Sequence, residues 1–350
     1  MSLQSLGQLP DGHEIREALI ASAAGAQARV MELGATLRDL LVPHDGGLQR
    51  VVLGFDSFDF YAAGGAHHAG AIAGRLANRL AQGRFSLDGN EYALERNEGG
   101  RNALHGGKAG FGKRPWTIVE HRANAVTLAL VSPDGDQGYP GTLRVFCRYE
   151  LLEPATLALT LEATTDAATI VNLAHHSYFN LDGSADVRDH ELMIAADFYT
   201  PTDRELIPTG EIRAVAATEY DFTKPRPIRL VPQGASEPFG YDTNFVLRGS
   251  SRERVGGSPL AHAATVASRR NGLALALFTS EPGLQVFDCH GMEFAAPGHD
   301  GSRYGKGAGL ALEAQHFPDG PNRAHFPSTV LRPGGIYRQR TEFRFAAQSR

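Results

Sequence analysis

Alternation of apolar and polar residues along short segments is the feature that most constrains how this chain folds. In the segment LRVFCRYEL, every second position is apolar or aromatic, at Leu143, Val145, Cys147, Tyr149 and Leu151. Neighbouring side chains of an extended strand point to opposite faces, so this pattern is typical of a strand half buried in an antiparallel sheet. The segments TLALTLEA and YRQRTEFRF repeat it.

Turn signals separate these segments along the whole chain. Forty glycines and nineteen prolines interrupt the 350 residues. In GRFSLDGNEYAL, Asp88 and Gly89 lie between two short alternating runs, which predicts a β-hairpin. No long stretch has apolar residues at the spacing i, i+3, i+4 and i+7, so we expect few and short helices. About twenty strands divided by turns predict an all-β fold, a large antiparallel β-sandwich.

The chain shows no sign of a domain boundary. Its composition does not shift along the sequence and no clear internal repeat is present, so we expect residues 1–350 to form a single domain. This size is compatible with one unit because β-sandwiches routinely exceed the usual domain length. We expect the segment Arg248 to Gly272, which is rich in serine, arginine and glycine, to be a long surface loop.

Charge and cysteine content narrow the class of protein. The formal net charge is −5 and both signs are interspersed without a basic patch, so we expect no nucleic-acid partner. No run reaches the roughly 18 apolar residues of a membrane span, and the amino terminus lacks a secretory signal, so we expect no membrane partner. Cys147 and Cys289 are too few for a disulfide framework and form no CxxC motif. They indicate a reducing compartment, and we expect a cytoplasmic protein.

Two polar stretches in the first third of the chain are candidates for a binding site. GRLANRLAQGR carries Arg75, Asn78, Arg79 and Arg84. It is either a solvated arginine cluster or a set of donors for a polyhydroxylated ligand, because arginine offers a fork of donors and asparagine an amide. NALHGG places His105 before two glycines, on a tight turn that would leave its imidazole accessible. A lone loop histidine is also often merely exposed.

The stretch NLAHHSYFNLDG carries two adjacent histidines, His175 and His176. If the stretch is a strand, their side chains point to opposite faces. His175 shares its face with bulkier residues such as Phe179, so we expect it to face the packed layer. His176 lies beside Tyr178 and is the better candidate for a cleft. A metal site would need both histidines and a third ligand, so we predict no metal here.

Three further polar residues interrupt apolar segments. In LALEAQHFPDGPN, Glu313 points away from the face that carries Leu310 and Leu312, close to an irregular loop. Catalytic groups are often displayed at such strand ends, although an exposed surface glutamate would fit the same pattern. The other two positions are Asp242 in GYDTNF and Gln285 in GLQVFD.

Six segments together resemble the signature segments of the galactose mutarotase (aldose 1-epimerase) family: GRLANRLAQGRFSLDG, NALHGG, HSYFNLDG, GYDTNF, LALEAQ and HFPSTVLRPGG. They occur in the family's order along nearly the whole chain. The resemblance implies a large β-sandwich of the supersandwich type, a cleft for a small-molecule aldose, and no cofactor. It assigns Glu313 as general base and His176 as general acid. It implies that the sugar-binding residues are Arg79, His105, Asp242, Asn78 and Gln285.

The implied reaction interconverts the α and β anomers of a hexose such as galactose or glucose. The anomeric hydroxyl loses a proton while the ring oxygen gains one, the C1–O5 bond breaks, and rotation about C1–C2 precedes reclosure. From reference pKa values of about 4.3 for glutamate and about 6.5 for histidine, we expect an ionised Glu313 that favours the imidazolium form of His176. A bell-shaped pH profile follows. His175 stands where the family usually has asparagine, and its protonation could alter that profile.

Three alternatives remain open at this stage. A glycoside hydrolase would pair Glu313 with Asp242 as its two carboxylates. A catalytically silent protein would bind the sugar without turning it over. A phosphohexose 1-epimerase would seat a phosphate on four arginines, Arg75, Arg79, Arg84 and Arg101. The preferred aldose, the pathway and the oligomeric state have no signature in the sequence.

Overall fold

The computed structural model describes residues 3–249, 252–255 and 258–347. The strands of its first half are β1 (Gln4–Gln8), β2 (Glu14–Ala21), β3 (Gln27–Met31), β4 (Thr36–His44), β5 (Gly47–Arg50), β6 (Ile72–Ala73), β7 (Arg79–Leu80), β8 (Arg84–Leu87), β9 (Asn90–Ala93), β10 (Ala103–Leu104), β11 (Thr117–His121), β12 (Ala125–Ser132), β13 (Leu143–Leu152), β14 (Thr156–Thr165) and β15 (Thr169–Ile170). Those of its second half are β16 (Ala174–His175), β17 (Tyr178–Phe179), β18 (Glu191–Ile194), β19 (Ala196–Thr200), β20 (Arg213–Ala214), β21 (Arg226–Pro227), β22 (Asp242–Leu247), β23 (Arg252–Val255), β24 (Ser258–Ala267), β25 (Leu273–Thr279), β26 (Gly283–Phe287), β27 (Leu310–Gln315), β28 (Val330–Leu331) and β29 (Tyr337–Ala347).

Helices are few and short, which confirms the prediction from the hydrophobic spacing. The single α-helix of the described residues is α1 (Phe58–Ala62), and none of their helices is long and apolar enough to cross a membrane. The 3-10 helices are Ala81–Gly83, Phe111–Lys113, Asp136–Gly138, Val187–Asp189, His299–Gly301 and Gly320–Asn322.

Three antiparallel sheets carry most of the fold. A five-stranded sheet runs in chain order from β1 to β5, and a six-stranded sheet has the order β17-β27-β26-β22-β19-β20. The largest sheet has the order β11-β12-β13-β14-β29-β25-β24-β18-β21, with β23 paired to β24. Buried side chains from all three sheets belong to one apolar cluster. The predicted all-β antiparallel sandwich is confirmed.

Alternation decides which side of each strand faces that cluster. Along β13, Leu143, Val145, Cys147, Tyr149 and Leu151 are all buried, and the residues between them are exposed or half-buried. The register with β14 is unbroken over ten residue pairs. An unbroken register keeps every apolar side chain on the inner face, because a slip of one residue would turn the whole set outward.

The predicted hairpin is confirmed between β8 and β9. Leu87 pairs with Asn90, so the turn contains two residues, Asp88 with φ 51° and Gly89 with φ 80°. Two central residues with positive φ match the right-handed twist of the flanking strands. Glycine is favoured at the second position because it adopts positive φ without steric cost.

The expectation of a long surface loop from Arg248 to Gly272 is wrong. Within this segment β23 and β24 form a hairpin, and β24 also pairs with β18 and β25 inside the largest sheet. Residues 250, 251, 256 and 257 lie outside the described residues. The sequence of β24 is rich in alanine, which has a weak intrinsic preference for strands, so its place in the sheet depends on pairing with its neighbours.

The stretch around the two histidines is also different from expectation. It is not one strand but three two-residue strands, β15, β16 and β17, each paired to a different partner. The six-stranded sheet and the largest sheet each combine strands from distant parts of the sequence. This interleaving supports our proposal that residues 1–350 form one domain.

Candidate active site

The six-stranded sheet sets polar side chains side by side on one face. Pairing of β26 with β27 places Gln285 opposite Glu313, and pairing of β22 with β26 places Asn244 opposite Gln285. Asp242 lies two residues before Asn244, so it shares the same face. Gln285 Nε2 donates to Asp242 Oδ1 at 2.5 Å. Three of the residues predicted from sequence therefore meet because alternation is kept across three neighbouring strands.

His176 approaches Glu313 from a different part of the chain. Its Nε2 atom lies 3.6 Å from Glu313 Oε1, and both residues are buried, with 5% and 2% of their surface exposed. Backbone hydrogen bonds fix His176, whose N–H donates to Ala71 O at 2.9 Å and whose carbonyl accepts from Gly70 N at 3.0 Å. A carboxyl group and an imidazole thus face each other inside one enclosed site.

Burial controls the protonation of this pair. It raises the pKa of the Glu313 carboxyl to about 8; the Asp242 carboxylate adds to the rise and the Arg79 guanidinium opposes it. Burial lowers the pKa of His176 to about 4, although its own backbone and Asp242 partly oppose that shift. The expectation of an ionised Glu313 beside an imidazolium is therefore wrong for the free site. Desolvation disfavours both charged forms, which favours a protonated carboxyl beside a neutral imidazole.

Arg79 connects the sheet to the loop that follows β9. Its Nε donates to both carboxylate oxygens of Glu98, at 2.9 and 3.1 Å, and its NH1 donates to Asp242 Oδ2 at 3.4 Å. Its side chain is 13% exposed, compared with 29% for Glu98. Two carboxylates hold a planar guanidinium in one orientation, so one edge of the site carries a fixed set of donors.

His105 and Asn78 hold each other in place. The Asn78 N–H donates to His105 Nδ1 at 3.2 Å, and the His105 N–H donates to Asn78 O at 3.0 Å. Both backbones are left-handed, with φ 49° for His105 and 60° for Asn78. The turn requires glycine at Gly106, since a Cβ there would lie 1.8 Å from Gly74 O. His105 is only 7% exposed, so the expectation of an accessible imidazole is wrong.

His175 points away from this site. Its ring centroid lies 5.8 Å from that of Tyr149 and 5.5 Å from that of Phe343, and both residues belong to the apolar cluster. Its Nε2 atom is 3.0 Å from Ser177 Oγ. Burial lowers the pKa of His175 to about 3, so the ring stays neutral at physiological pH. The two adjacent histidines face opposite directions, as expected from the sequence for neighbouring side chains of an extended segment.

Among the described residues, one trio has metal-binding side chains close together. One potential ligand atom each from His105, His176 and Glu313 lies within 4.8 Å of the others. A metal-bound histidine normally donates its second N–H to an acceptor. His105 Nδ1 instead accepts an N–H from Asn78, which puts the ring proton on Nε2. Neither nitrogen of His105 then has a free lone pair, so the trio suits hydroxyl groups better than a metal ion.

Two residues beside the site were not identified from the sequence. Glu98 holds Arg79, but it lies in a polar loop where an exposed glutamate is common, so the sequence gives no signal for it. His68 has a ring centroid 4.8 Å from that of His105 and 6.0 Å from that of His176. A signal for His68 does exist. It belongs to a second pair of adjacent histidines, in the segment GAHHAG.

Comparisons with known proteins identify relatives over nearly the whole chain. The sequence model of the family described as aldose 1-epimerase matches residues 17–344. The galactose mutarotase of Bos taurus is 38% identical over 343 residues, and the aldose 1-epimerase of Escherichia coli is 37% identical over 346 residues. Each alignment covers 97% of both chains. A crystal structure of an aldose epimerase homologue from C. elegans has 30% identity and a TM-score of 0.87, covering 95% of this chain and 99% of that one. The chain belongs to the aldose 1-epimerase family.

Proposed function

We propose that this protein is an aldose 1-epimerase, an isomerase that interconverts the α and β anomers of a hexose such as galactose or glucose. The observation that carries the proposal is the 3.6 Å approach of His176 Nε2 to Glu313 Oε1 in a buried site. Mutarotation needs one proton removed from O1 and one delivered to O5, and both oxygens are bonded to C1. Two proton-transfer groups close together therefore fit the reaction.

In the proposed mechanism, Glu313 acts as general base and His176 as general acid. Glu313 takes the proton of the anomeric hydroxyl while His176 gives a proton to the ring oxygen, and the C1–O5 bond breaks to leave the open aldehyde. After rotation about C1–C2, His176 takes its proton back from the C5 hydroxyl, and Glu313 returns the other proton to the carbonyl oxygen as the ring closes. Each residue ends as it began, so the reaction needs no cofactor.

The free site begins with the proton on the carboxyl rather than on the imidazole. The carboxylic acid with neutral imidazole and the carboxylate with imidazolium carry the same number of protons, so the two forms differ only in where one proton lies. We propose that the hexose favours the second form, because its hydroxyl groups donate hydrogen bonds that stabilise the Glu313 carboxylate. Above a pH of about 8 the carboxyl of the free site loses this proton, and below about 4 the imidazole gains a second one.

Hydroxyl groups of the sugar need donors and acceptors whose positions are fixed before binding. Contacts within the site orient each proposed binding group. A preorganised set of this kind lowers the ordering cost of binding and decides which hydroxyls approach the pair. The proposed sugar-binding residues are Arg79, His105, Asp242, Asn78 and Gln285.

The alternatives find less support. The phosphohexose epimerase needs Arg75, whose NH1 group donates to Pro140 O and Gly141 O at 2.9 Å, and whose NH2 group donates to Ser132 Oγ at 2.6 Å. This guanidinium is therefore committed to the fold. A silent binding protein has no need for a buried carboxyl beside a buried imidazole. A glycoside hydrolase would leave His176 without a role.

The cellular location of the protein and the class of its binding partner are also proposals. Both cysteines, Cys147 and Cys289, are free and buried. Free thiols are typical of a reducing compartment, which supports the proposal of a cytoplasmic protein. The charge distribution in the sequence favours a small-molecule partner over nucleic acid.

Polarimetry of freshly dissolved α-D-galactose tests the proposal. We expect the enzyme to accelerate the approach to anomeric equilibrium over the spontaneous rate, with glucose turned over as well. Glucose 6-phosphate and a chromogenic galactoside, assayed in parallel, separate the phosphohexose epimerase and the hydrolase from this function. Failure to accelerate the mutarotation of any aldose in a panel would contradict it.

A further inference from the structure

We propose that His68 is a further sugar-binding residue, which forms a hydrogen bond with a hexose hydroxyl away from the anomeric carbon. The inference rests on the proposed function, because it assigns this side chain to the same site. Contacts of the backbone, of the ring and of the ring nitrogens support it separately.

Backbone contacts hold the segment that carries His68 against His176. Gly70 and Ala71 make the two hydrogen bonds to the His176 backbone, and Ala71 N also donates to His68 O at 2.9 Å. The position of His68 relative to the proposed acid is therefore set within a few residues of chain. It does not depend on contacts of the His68 side chain itself.

The ring of His68 adjoins both imidazoles of the site. It is tilted by 49° to the ring of His105 and by 30° to that of His176, at centroid distances of 4.8 and 6.0 Å. The three imidazoles form one cluster, since the ring centroids of His105 and His176 are also only 5.2 Å apart. Since His105 and His176 are both proposed to contact the hexose, a ring that touches both lies at the edge of the same sugar.

The ring nitrogens of His68 have hydrogen-bonding capacity to spare. Nδ1 is enclosed and has no hydrogen-bond partner in the part of the chain that the structure describes. It lies close to Gly112, where a Cβ would be only 3.1 Å away. The residue as a whole is partly exposed. Buried polar groups are normally paired, and an unpaired one in a native site calls for an explanation such as a ligand.

The charge state of His68 suits a hydroxyl group. The pKa of this imidazole is lowered to about 3, mainly by burial and to a smaller extent by His176 and Lys113. The ring is therefore neutral at physiological pH and offers one donor and one acceptor. A sugar hydroxyl can both donate and accept, so it matches this ring without any change of charge in the site.

The backbone at this position is strained. His67 and His68 have φ values of 46° and 62°, both in the left-handed region that side chains with a Cβ rarely adopt. Such conformations cluster at ligand-binding sites because the surrounding structure must hold them in place. The second of these two residues carries the ring that adjoins His176, which agrees with a binding role for the His68 side chain.

The test compares His68→Phe with the matched control His67→Phe. Phenylalanine keeps an aromatic ring but removes both nitrogens, and a cavity of about 120 Å³ beside His68 leaves room for it. We expect His68→Phe to raise both KM and the Kd for galactose roughly 3- to 10-fold, the effect of one neutral hydrogen bond, with kcat changed less than twofold. His67 is exposed, and His67→Phe should leave both constants unchanged. His68→Asn, which retains a donor and an acceptor, should recover part of the loss.

Deoxy sugars identify the partner hydroxyl. For the deoxygalactose that lacks this hydroxyl, wild type and His68→Phe should bind with the same Kd. Unchanged KM and Kd across all sugars, or a loss confined to kcat, would overturn the proposal. Calorimetric Kd values keep it separate from the proposed function. If galactose binds more weakly to His68→Phe but the wild type does not turn it over, the His68 contact is supported. The proposed epimerase activity is then contradicted.

Discussion

Two groups of buried ionisable side chains in this protein differ in how completely they are paired. In the five-stranded sheet, Glu17 accepts from Arg38 at 2.5 and 2.9 Å and from Arg29 at 3.2 Å, so both of its oxygens are bonded. In the six-stranded sheet, Glu313 faces His176 at 3.6 Å, and its Oε2 has no hydrogen-bond partner within the described residues. The first group is electrostatically complete and the second is not.

The same contrast holds over the described part of the chain. Of the eleven buried side-chain atoms that have no partner there, six belong to His68, His176, Asn244, Glu313 and Gln315. All five residues lie in the proposed site or on the strands beside it. Unpaired polar atoms are costly to bury, so their concentration in one place indicates groups kept available for a ligand. Pairing, rather than charge or burial alone, separates the structural carboxylates from the chemical one.

The largest expected effect is on catalysis, when either residue of the incompletely paired group, Glu313 or His176, is substituted. Glu313→Gln and His176→Ala each remove one proton-transfer group, so we expect kcat for mutarotation to fall roughly 10²- to 10⁴-fold while the fold is retained. Polarimetry gives the rate, and circular dichroism checks the fold. Glu281→Gln is the matched control, because Glu281 is also buried beside a histidine, with Oε2 2.8 Å from His316 Nδ1. Near-wild-type rates in either active-site variant would contradict the assignment.

Substitution in the fully paired group around Glu17 should affect stability instead of catalysis. Glu17→Gln leaves the Arg38 guanidinium buried without a full counter-charge, so we expect the free energy of unfolding to fall by roughly 3–5 kcal/mol. The rate per folded molecule should not change. The control Glu14→Gln alters an exposed residue of the same strand and should cost less than about 0.5 kcal/mol. A Glu17 variant that stays stable but loses activity would invert the contrast between the two groups.

The pH dependence of stability sharpens the same comparison. The folded protein holds the Glu313 proton up to a pH of about 8, whereas the unfolded chain releases it near the ordinary value of 4.5. Wild type therefore loses stability from this residue as pH rises from 4.5 to about 8, by roughly 1.4 kcal/mol per pH unit. Glu313→Gln does not titrate, so its stability relative to wild type should rise over that range and level off above it. Denaturant unfolding at several pH values measures this, and parallel curves would contradict the raised pKa.

The all-β fold and several residues of the candidate site could be predicted from the sequence, but the protonation states of those residues could not. Alternation around Leu143 and the Asp88-Gly89 turn predict strands and a hairpin correctly, because both depend on local geometry. The alanine-rich β24 was missed because its place in the sheet comes from its neighbours. Spaced motifs nominated Glu313 and Asp242, which the sheet register brings together. The protonation states expected for Glu313 and His176 from reference pKa values were wrong, because the sequence does not reveal how deeply a side chain is buried.

The smallest expected effect concerns Glu98, which no motif indicated. Glu98→Gln removes one of the two carboxylate charges that orient Arg79, so we expect KM for galactose to rise a few-fold with little change in kcat. The control Glu95→Gln changes a nearby glutamate whose partner is the exposed Lys108. Initial-rate kinetics by polarimetry separates the two constants. A loss in kcat alone would place Glu98 in the proton-transfer step instead.

The rate of enzymatic mutarotation of α-D-galactose as a function of pH, with the spontaneous rate subtracted, tests the central claim most directly. One proton shared by Glu313 and His176 predicts a bell-shaped profile of kcat/KM, with the alkaline limb near pH 8 and the acid limb near pH 4. The alkaline limb should disappear from the residual activity of Glu313→Gln. A profile that stays flat from pH 5 to pH 9.5 in the wild type would contradict the proposed role of this pair.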